Sequence, residues 1–185
     1  MLPGSVAAGP PKPNFKVTDG PNDKLIAKGS AANDDLVVLY GSEGGNSRFQ
    51  ISVDGGQTIT ESSTHCSPSD FFPTQIVFCD YGVSRFVLNQ GAGNDKNHFF
   101  QDTSDDPWPS AIGLFVNGGA GNDNVRGGTG DDVVKGGTGE DRLFGLNGSD
   151  RLLAKDEEKD RDINCGKGVD PKHKVDPVDP AALNC

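Results

Sequence analysis

Residues 118–153 read GGAGNDNVR (118–126), GGTGDDVVK (127–135), GGTGEDRLF (136–144) and GLNGSDRLL (145–153), four nonapeptides without a gap. Position 1 is glycine in every copy (Gly118, Gly127, Gly136, Gly145), and so is position 4 (Gly121, Gly130, Gly139, Gly148). Position 6 is always aspartate (Asp123, Asp132, Asp141, Asp150), and position 8 is always aliphatic (Val125, Val134, Leu143, Leu152). The glycine pattern is broken once, by Leu146 at position 2. A fixed period of this kind marks a repeat architecture. The first six residues must turn tightly, and glycine adopts positive φ at the least cost. The last three suit a short strand, in which alternation sends position 8 inward and positions 7 and 9 outward. Asn124, Arg126, Lys135 and Arg142 fit the outward role, whereas Val133, Phe144 and Leu153 are apolar there.

One nonapeptide makes half a coil, so two close a full turn of 18 residues. Successive turns then stack as parallel strands about 4.8 Å apart. The interior is a narrow stripe of Val and Leu, too thin to hold the chain alone. Stacking sets Asp123 over Asp141 and Asp132 over Asp150. Bare carboxylates brought together repel and resist ionisation, so the arrangement calls for a cation between them. Carboxylates with backbone carbonyls and no soft ligand describe a hard cation, and a flexible many-oxygen cage favours Ca2+ over Mg2+.

Composition agrees. The chain has 185 residues, with 17 basic and 27 acidic, a formal charge of −10. Only 33% of residues are apolar and 7% aromatic, while glycine numbers 26 and proline 12. There is no apolar run long enough for a membrane helix. No basic face offers itself to nucleic acid. Glycine lacks the period of collagen and is too dense for a helical bundle. What remains is an acidic, core-poor chain that needs something besides a core to hold it.

The four cysteines, Cys66, Cys79, Cys165 and Cys185, fall into two local pairs, and neither has the C-x-x-C spacing of a zinc site. An even count in a core-poor chain favours disulfides and an oxidising compartment, with four buried thiols as the alternative. The pairs Cys66–Cys79 and Cys165–Cys185 would close loops of 13 and 20 residues. Each closure contributes roughly 3 kcal/mol on the chain-entropy estimate.

The nonapeptide G-G-x-G-x-D-x-U-x resembles the RTX, or hemolysin-type, calcium-binding repeat. The resemblance implies an all-β fold, a right-handed parallel β-roll or β-solenoid. It implies calcium ligation by Asp123, Asp132, Asp141 and Asp150. Main-chain oxygens of the turns, at Gly118, Gly121, Gly127, Gly130, Gly136 and Gly139, would supply most other ligands. The segment 90–95, QGAGND, repeats the turn, but Asn97 replaces the aliphatic position 8, so Asp95 is a further and weaker candidate. Asp34 keeps only the Asp-x-aliphatic half, and residues 165–170 keep the turn half before Pro171. The tail also resembles the end of secreted calcium-binding proteins of Gram-positive bacteria, which implies export and oxidative folding outside the cell.

Four regions are expected. Residues 1–28 read as a linker or the remnant after an export signal, with Pro10, Pro11 and Pro13 extended. Residues 29–117 read as a β-rich, degenerate start of the solenoid, with strands at 36–40, 49–53, 75–79, 85–88 and 112–116. Within it, Asp54-Gly55-Gly56 is expected to turn a hairpin between 49–53 and 58–60, and a loop to carry Cys66 and Cys79. Residues 118–153 are the calcium-binding repeats, and 154–185 a disulfide-pinned C-terminal cap for the open end.

The expected function is a secreted, monomeric, non-catalytic calcium-binding protein whose folding depends on the ion. An enzyme is disfavoured: neither H-E-x-x-H nor G-x-S-x-G occurs, and His65, Ser67 and Asp70 are merely close along a loop. An ice-binding face would show outward Thr, yet Thr129 and Thr138 sit in turns. Adhesion to a surface or protein partner through the loops at 61–75 and 101–110 (which include Trp108) is the alternative. Neither a nucleic acid nor a membrane is an expected partner.

Overall fold

The computed structural model describes residues 14–21, 24–43, 46–53, 58–61, 64, 66–68, 76–80, 85–101, 113–168 and 173–185. Among them all regular structure is β. One sheet contains β1 (Asn14–Gly20), β2 (Lys24–Lys28), β5 (Thr58–Glu61), β8 (Arg85–Ala92), β10 (Leu114–Ala120), β12 (Val133–Thr138) and β14 (Arg151–Leu153), in the order β14-β12-β10-β8-β2-β1-β5. The other contains β3 (Asp35–Glu43), β4 (Asn46–Val53), β6 (Cys66–Pro68), β7 (Ile76–Asp80), β9 (Lys96–Gln101), β11 (Asn124–Arg126), β13 (Arg142–Phe144) and β15 (Asp162–Asn164), in the order β15-β13-β11-β9-β3-β4-β7-β6.

From β8 onward the chain passes from one sheet to the other at every strand, and each strand pairs parallel with the strand two places later. The register follows the repeat. Val116 faces Val134, which faces Leu152, and Val125 faces Leu143, which faces Ile163. Val125, Val134, Leu143 and Leu152 are wholly buried, as alternation demands at position 8. Arg126 at position 9 lies on the outer side and stacks over the Phe144 ring at 5.3 Å. The core broadens toward the N-terminal half, where Phe15, Leu25, Leu36, Ile51 and Phe86 are buried.

The N-terminal end departs from the repeat plan. β1 runs antiparallel to β2, β4 antiparallel to β3, and β7 antiparallel to both β4 and β6. Three expectations are corrected here. Residues 14–20 and 24–28, read as linker, form strands because Phe15, Val17, Leu25 and Ala27 alternate into the core. The hairpin between 49–53 and 58–60 does not form: β4 pairs with β3 and β7, while β5 joins β1 in the other sheet. Cys66 and Cys79 are not on a loop but are register partners on β6 and β7, joined by a disulfide. Residues 1–13, the turn 54–57, His65, Asp70 and the segment 102–110 with Trp108 lie outside the described residues.

At the other end, isolated bridges place Lys174 beside Leu153 and Leu183 beside Asn164, so the tail adds one further layer to each sheet. Cys165 and Cys185 are disulfide-bonded there. No helix long and apolar enough to cross a membrane occurs among the described residues.

Candidate metal centre

The tight turns between strands bring the position-6 aspartates into line. Each uses Oδ1 to hold the adjacent turn. Asp123 donates its main-chain N–H to Asp141 Oδ1 at 2.8 Å, and Asp95 donates to Asp123 Oδ1 at 2.8 Å. Asp34 donates in turn to Asp95 Oδ1 at 2.7 Å. On the opposite side, Asp132 donates to Asp150 Oδ1 at 2.9 Å and Leu114 to Asp132 Oδ1 at 2.7 Å. The stacking of Asp123 with Asp141 and of Asp132 with Asp150 is as the repeat spacing implies. Asp95 is a full member of the first ladder, and Asp34 ends it: its N–H donates to Asp95, while its own carboxylate accepts the N–H and hydroxyl of Ser30 four residues before it.

That ladder also continues where no glycine flanks the aspartate. Asp141 donates to Asp160 Oδ1 at 2.9 Å, and Asp160 to Asp179 Oδ1 at 3.0 Å. Asp160 lies in the charged run 155–162 and Asp179 in the proline-rich tail, and neither is flanked by the glycines of the repeat, so the nonapeptide pattern does not point to them. The usable signal was the spacing: 160 − 141 = 19 and 179 − 160 = 19, one more than the repeat turn.

A second ladder, also missed, runs through position 5 in the opposite sense. Asn94 donates its N–H to Asn33 Oδ1, Asn122 to Asn94 Oδ1, Glu140 to Asn122 Oδ1 and Ser149 to Asp131 Oδ1, at 2.8 to 3.0 Å. Adjacent turns are thus clamped reciprocally by side-chain oxygens at positions 5 and 6. At the degenerate repeat, Asn97 accounts for its own departure from the pattern. Its Oδ1 accepts the Arg126 N–H at 3.1 Å and its Nδ2 donates to the Arg126 carbonyl at 2.7 Å. The buried amide stands in for a strand partner.

The glycines are explained by what a side chain would strike. A Cβ on Gly118 would lie 2.5 Å from Asp123 Oδ2 and 2.6 Å from the Gly136 carbonyl oxygen. Gly127 shows the same cradle, with the Gly145 carbonyl oxygen at 2.5 Å and Asp132 Oδ2 at 2.6 Å. Position 1 is therefore where a carboxylate oxygen of one turn and a carbonyl oxygen of the next converge. Position 2 has positive φ in three of the four repeats, at Gly119, Gly137 and, despite its side chain, Leu146 (φ 82). Gly128 does not share it; its N–H instead donates to Asp132 Oδ2 at 2.5 Å.

The electrostatics are those of a site short of positive charge. Asp123, Asp132, Asp141 and Asp150 are each buried to 2% exposure or less, as is Asp95. Oδ2 of Asp95 and of Asp123 is buried with no hydrogen-bond partner among the described residues. Burial raises the Asp95 carboxyl to about 7, with the charges of Asp123 and Asp34 adding to it and the Asp34 N–H opposing. Burial raises Asp123 to about 6 against the Asp95 N–H. Asp132 and Asp141 are likewise raised to about 7, chiefly by burial, with Asp150 adding to the first and Asp123 to the second. An orphaned carboxylate oxygen beside a carbonyl oxygen is a donor set for a hard cation.

Residues 117–152 match the family model of the RTX calcium-binding nonapeptide repeat, in four copies. The chain carries RTX repeats. RTX nonapeptide repeats bind Ca2+. The match begins one residue before Gly118 and covers all four position-6 aspartates. Neither a curated protein nor a solved structure matches the chain. Among the described residues no three carboxylates gather closely, so a hard cation held in these turns would need carbonyl oxygens as well. The one tight cluster of ligand-type side chains among the described residues, Cys165, His173 and Cys185, has both sulfurs committed to the disulfide and leaves only His173.

Proposed function

We propose that this is a secreted, monomeric, non-catalytic calcium-binding protein. In this reading the two alternating sheets are the walls of a right-handed parallel β-roll, with 118–153 as its metal-binding centre and 154–185 as its cap. Ca2+ is ligated by Asp123, Asp132, Asp141 and Asp150, with Asp95 extending the series. Main-chain oxygens of Gly118, Gly121, Gly127, Gly130, Gly136 and Gly139 complete the shells. The observation that carries the reading is the Asp123 carboxylate, 2% exposed, whose Oδ2 has no hydrogen-bond partner among the described residues and faces the same cradle as the Gly136 carbonyl.

The residues divide the labour. Oδ1 of each aspartate positions the neighbouring turn through its N–H; Oδ2 of Asp123 has no hydrogen-bond partner among the described residues and is left for the metal, whereas Oδ2 of Asp132 also accepts the Gly128 N–H. When bound, the ion supplies the positive charge that lets adjacent carboxylates ionise together. Without it, the turns repel and the thin Val and Leu stripe alone resists opening. At 100 times its dissociation constant an ion adds roughly 2.7 kcal/mol per site. The two disulfides suit an oxidising environment and hold both ends of the stack while the metal level varies.

Far-UV circular dichroism during calcium titration tests this. A cooperative gain of β signal, reversed by chelator, is expected. A spectrum and melting temperature indifferent to both would overturn it.

A further inference from the structure

The turn that follows the last RTX repeat is built differently from those inside it. At three position-4 glycines the N–H donates to a main-chain carbonyl of the next turn: Gly93 to Ala120, Gly121 to Thr138 and Gly148 to Lys167, at 2.8 to 2.9 Å. The N–H of Gly139 meets a carboxylate instead, Asp156 Oδ2 at 3.2 Å. The substitution repeats one layer on, where Asp156 and Glu157 donate to Asp176 Oδ2 at 2.8 and 2.5 Å. Asp179 Oδ2 in turn accepts the Asp176 N–H at 2.6 Å. Carboxylates stand where the repeats have carbonyls, so negative charge is denser here than at the matched sites.

Asp160 lies at the centre of this turn. Its Oδ1 clamps the Asp141 N–H, as in the repeats, and the residue is 2% exposed. Its Oδ2 is buried without a hydrogen-bond partner among the described residues. The charges of Asp179, Asp156 and Asp176 all bear on this carboxyl, and burial above all raises it to about 7. One inserted residue makes room for it. Ala154 occupies the position-1 place, and Asp160 follows it by 160 − 154 = 6 residues, against 141 − 136 = 5 from Gly136 to Asp141. A second extra residue follows Asp160: the N–H groups of Arg161 and Asp162 share the Asp141 carbonyl, at 2.8 and 3.4 Å, and Asp162 rather than Arg161 is the register partner of Arg142.

We propose that the turn 154–160 holds a divalent hard cation of its own, outside the four matched repeats. Asp160 Oδ2 and the Asp156 carboxylate are its side-chain ligands, and main-chain carbonyl oxygens complete the shell. The proposal rests on the calcium reading only for the choice of ion. The site closes the metal-binding row at its C-terminal end, without the glycine code that would reveal it.

Calorimetric titration of the full chain with CaCl2 decides it, with Asp160→Asn, Asp156→Asn and Asp132→Asn compared. Asparagine at 160 keeps an oxygen for the Asp141 N–H and removes the charge. Asp160→Asn and Asp156→Asn are expected each to lose the same one Ca2+ per chain, or to weaken it at least tenfold. Asp132→Asn, on the opposite ladder, should lose a different one. A full complement of ions at unchanged affinity in Asp160→Asn overturns the proposal and leaves Asp160 a purely structural clamp. Loss in Asp160→Asn with none in Asp132→Asn upholds it and removes the reading of the repeats instead. If Asp160→Asn does not fold by circular dichroism in CaCl2, the half-buried Asp156→Asn decides alone.

Discussion

The main-chain N–H of Asp123 donates a 2.8 Å hydrogen bond to Oδ1 of Asp141, 18 residues further along. In the proposed reading this one carboxylate has two duties, the observed clamp through Oδ1 and metal ligation through Oδ2. Substitution separates them. Asp141→Asn preserves an acceptor for the N–H and should leave metal-free stability unchanged or higher, because a raised carboxyl is replaced by a neutral group. Asp141→Ala strands the buried N–H and should cost about 1–3 kcal/mol. Both should weaken calcium binding at least tenfold. Urea melts in chelator, paired with calorimetry, distinguish the two effects.

The pH dependence has a definite sign. Asp95, Asp132, Asp141 and Asp160 titrate near about 7 and Asp123 near about 6 in the fold, all above the ordinary value of 3.8. Between these limits the folded chain holds more protons than the unfolded one, so metal-free stability falls as pH rises from about 4 to about 7. Above that range this contribution is flat. Calcium requires the carboxylates deprotonated, so its affinity should rise over the same interval, with protons released on binding. Chelator-treated melts and calcium titrations at pH 5, 6 and 7.5 should move in opposite directions. Parallel movement would contradict the assignment.

Two glycines of neighbouring repeats should respond unequally to alanine. At Gly118 the new Cβ would meet Asp123 Oδ2 and the Gly136 carbonyl oxygen, both fixed. At Gly128 it would approach only the Leu114 Cδ1 end at 3.1 Å, and φ there is not positive. Gly118→Ala should destabilise by at least about 2 kcal/mol and impair calcium binding. Gly128→Ala should stay within about 1 kcal/mol of the parent. Thermal melts in saturating CaCl2 make the comparison.

Restoring the family pattern at the degenerate repeat should do harm. Asn97→Leu would supply an aliphatic position 8 but orphan the Arg126 N–H and carbonyl that the amide now satisfies. A loss of about 1–3 kcal/mol is expected, although leucine is the more apolar residue. An equal or higher melting temperature would show that the strand pairing heals without the amide.

The repeats were legible because every constraint on them is local and periodic. A tight turn needs glycine, a buried position needs Val125 or Leu143, and a stacked carboxylate needs its fixed place. The ends are not periodic, and there the reading faltered. The turn residues at 54–56 suggested a hairpin, yet tertiary pairing sent 58–61 to β1. Asp160 and Asp179 keep the stacking role with neither flanking glycines nor the nine-residue spacing, so only the hydrogen bonds show it. The position-5 ladder was hidden by chemistry: Asn122 and Asp131 differ in charge but offer the same acceptor oxygen. Asn97 looked like a defect because its role is toward a backbone 29 residues away.

The antiparallel strands at the N-terminal end give the molecule a direction. β1 and β4 fold back on the first parallel strands, so a new coil has no matching register to enter there. The middle has no such stop: each pair of nonapeptides offers the next the same edge it received. Inserting or deleting 18 residues within 118–153 would lengthen or shorten the rod by one layer, about 4.8 Å, and leave both termini untouched. Length is thus an adjustable property of this chain, set by the number of repeat pairs rather than by any change of fold.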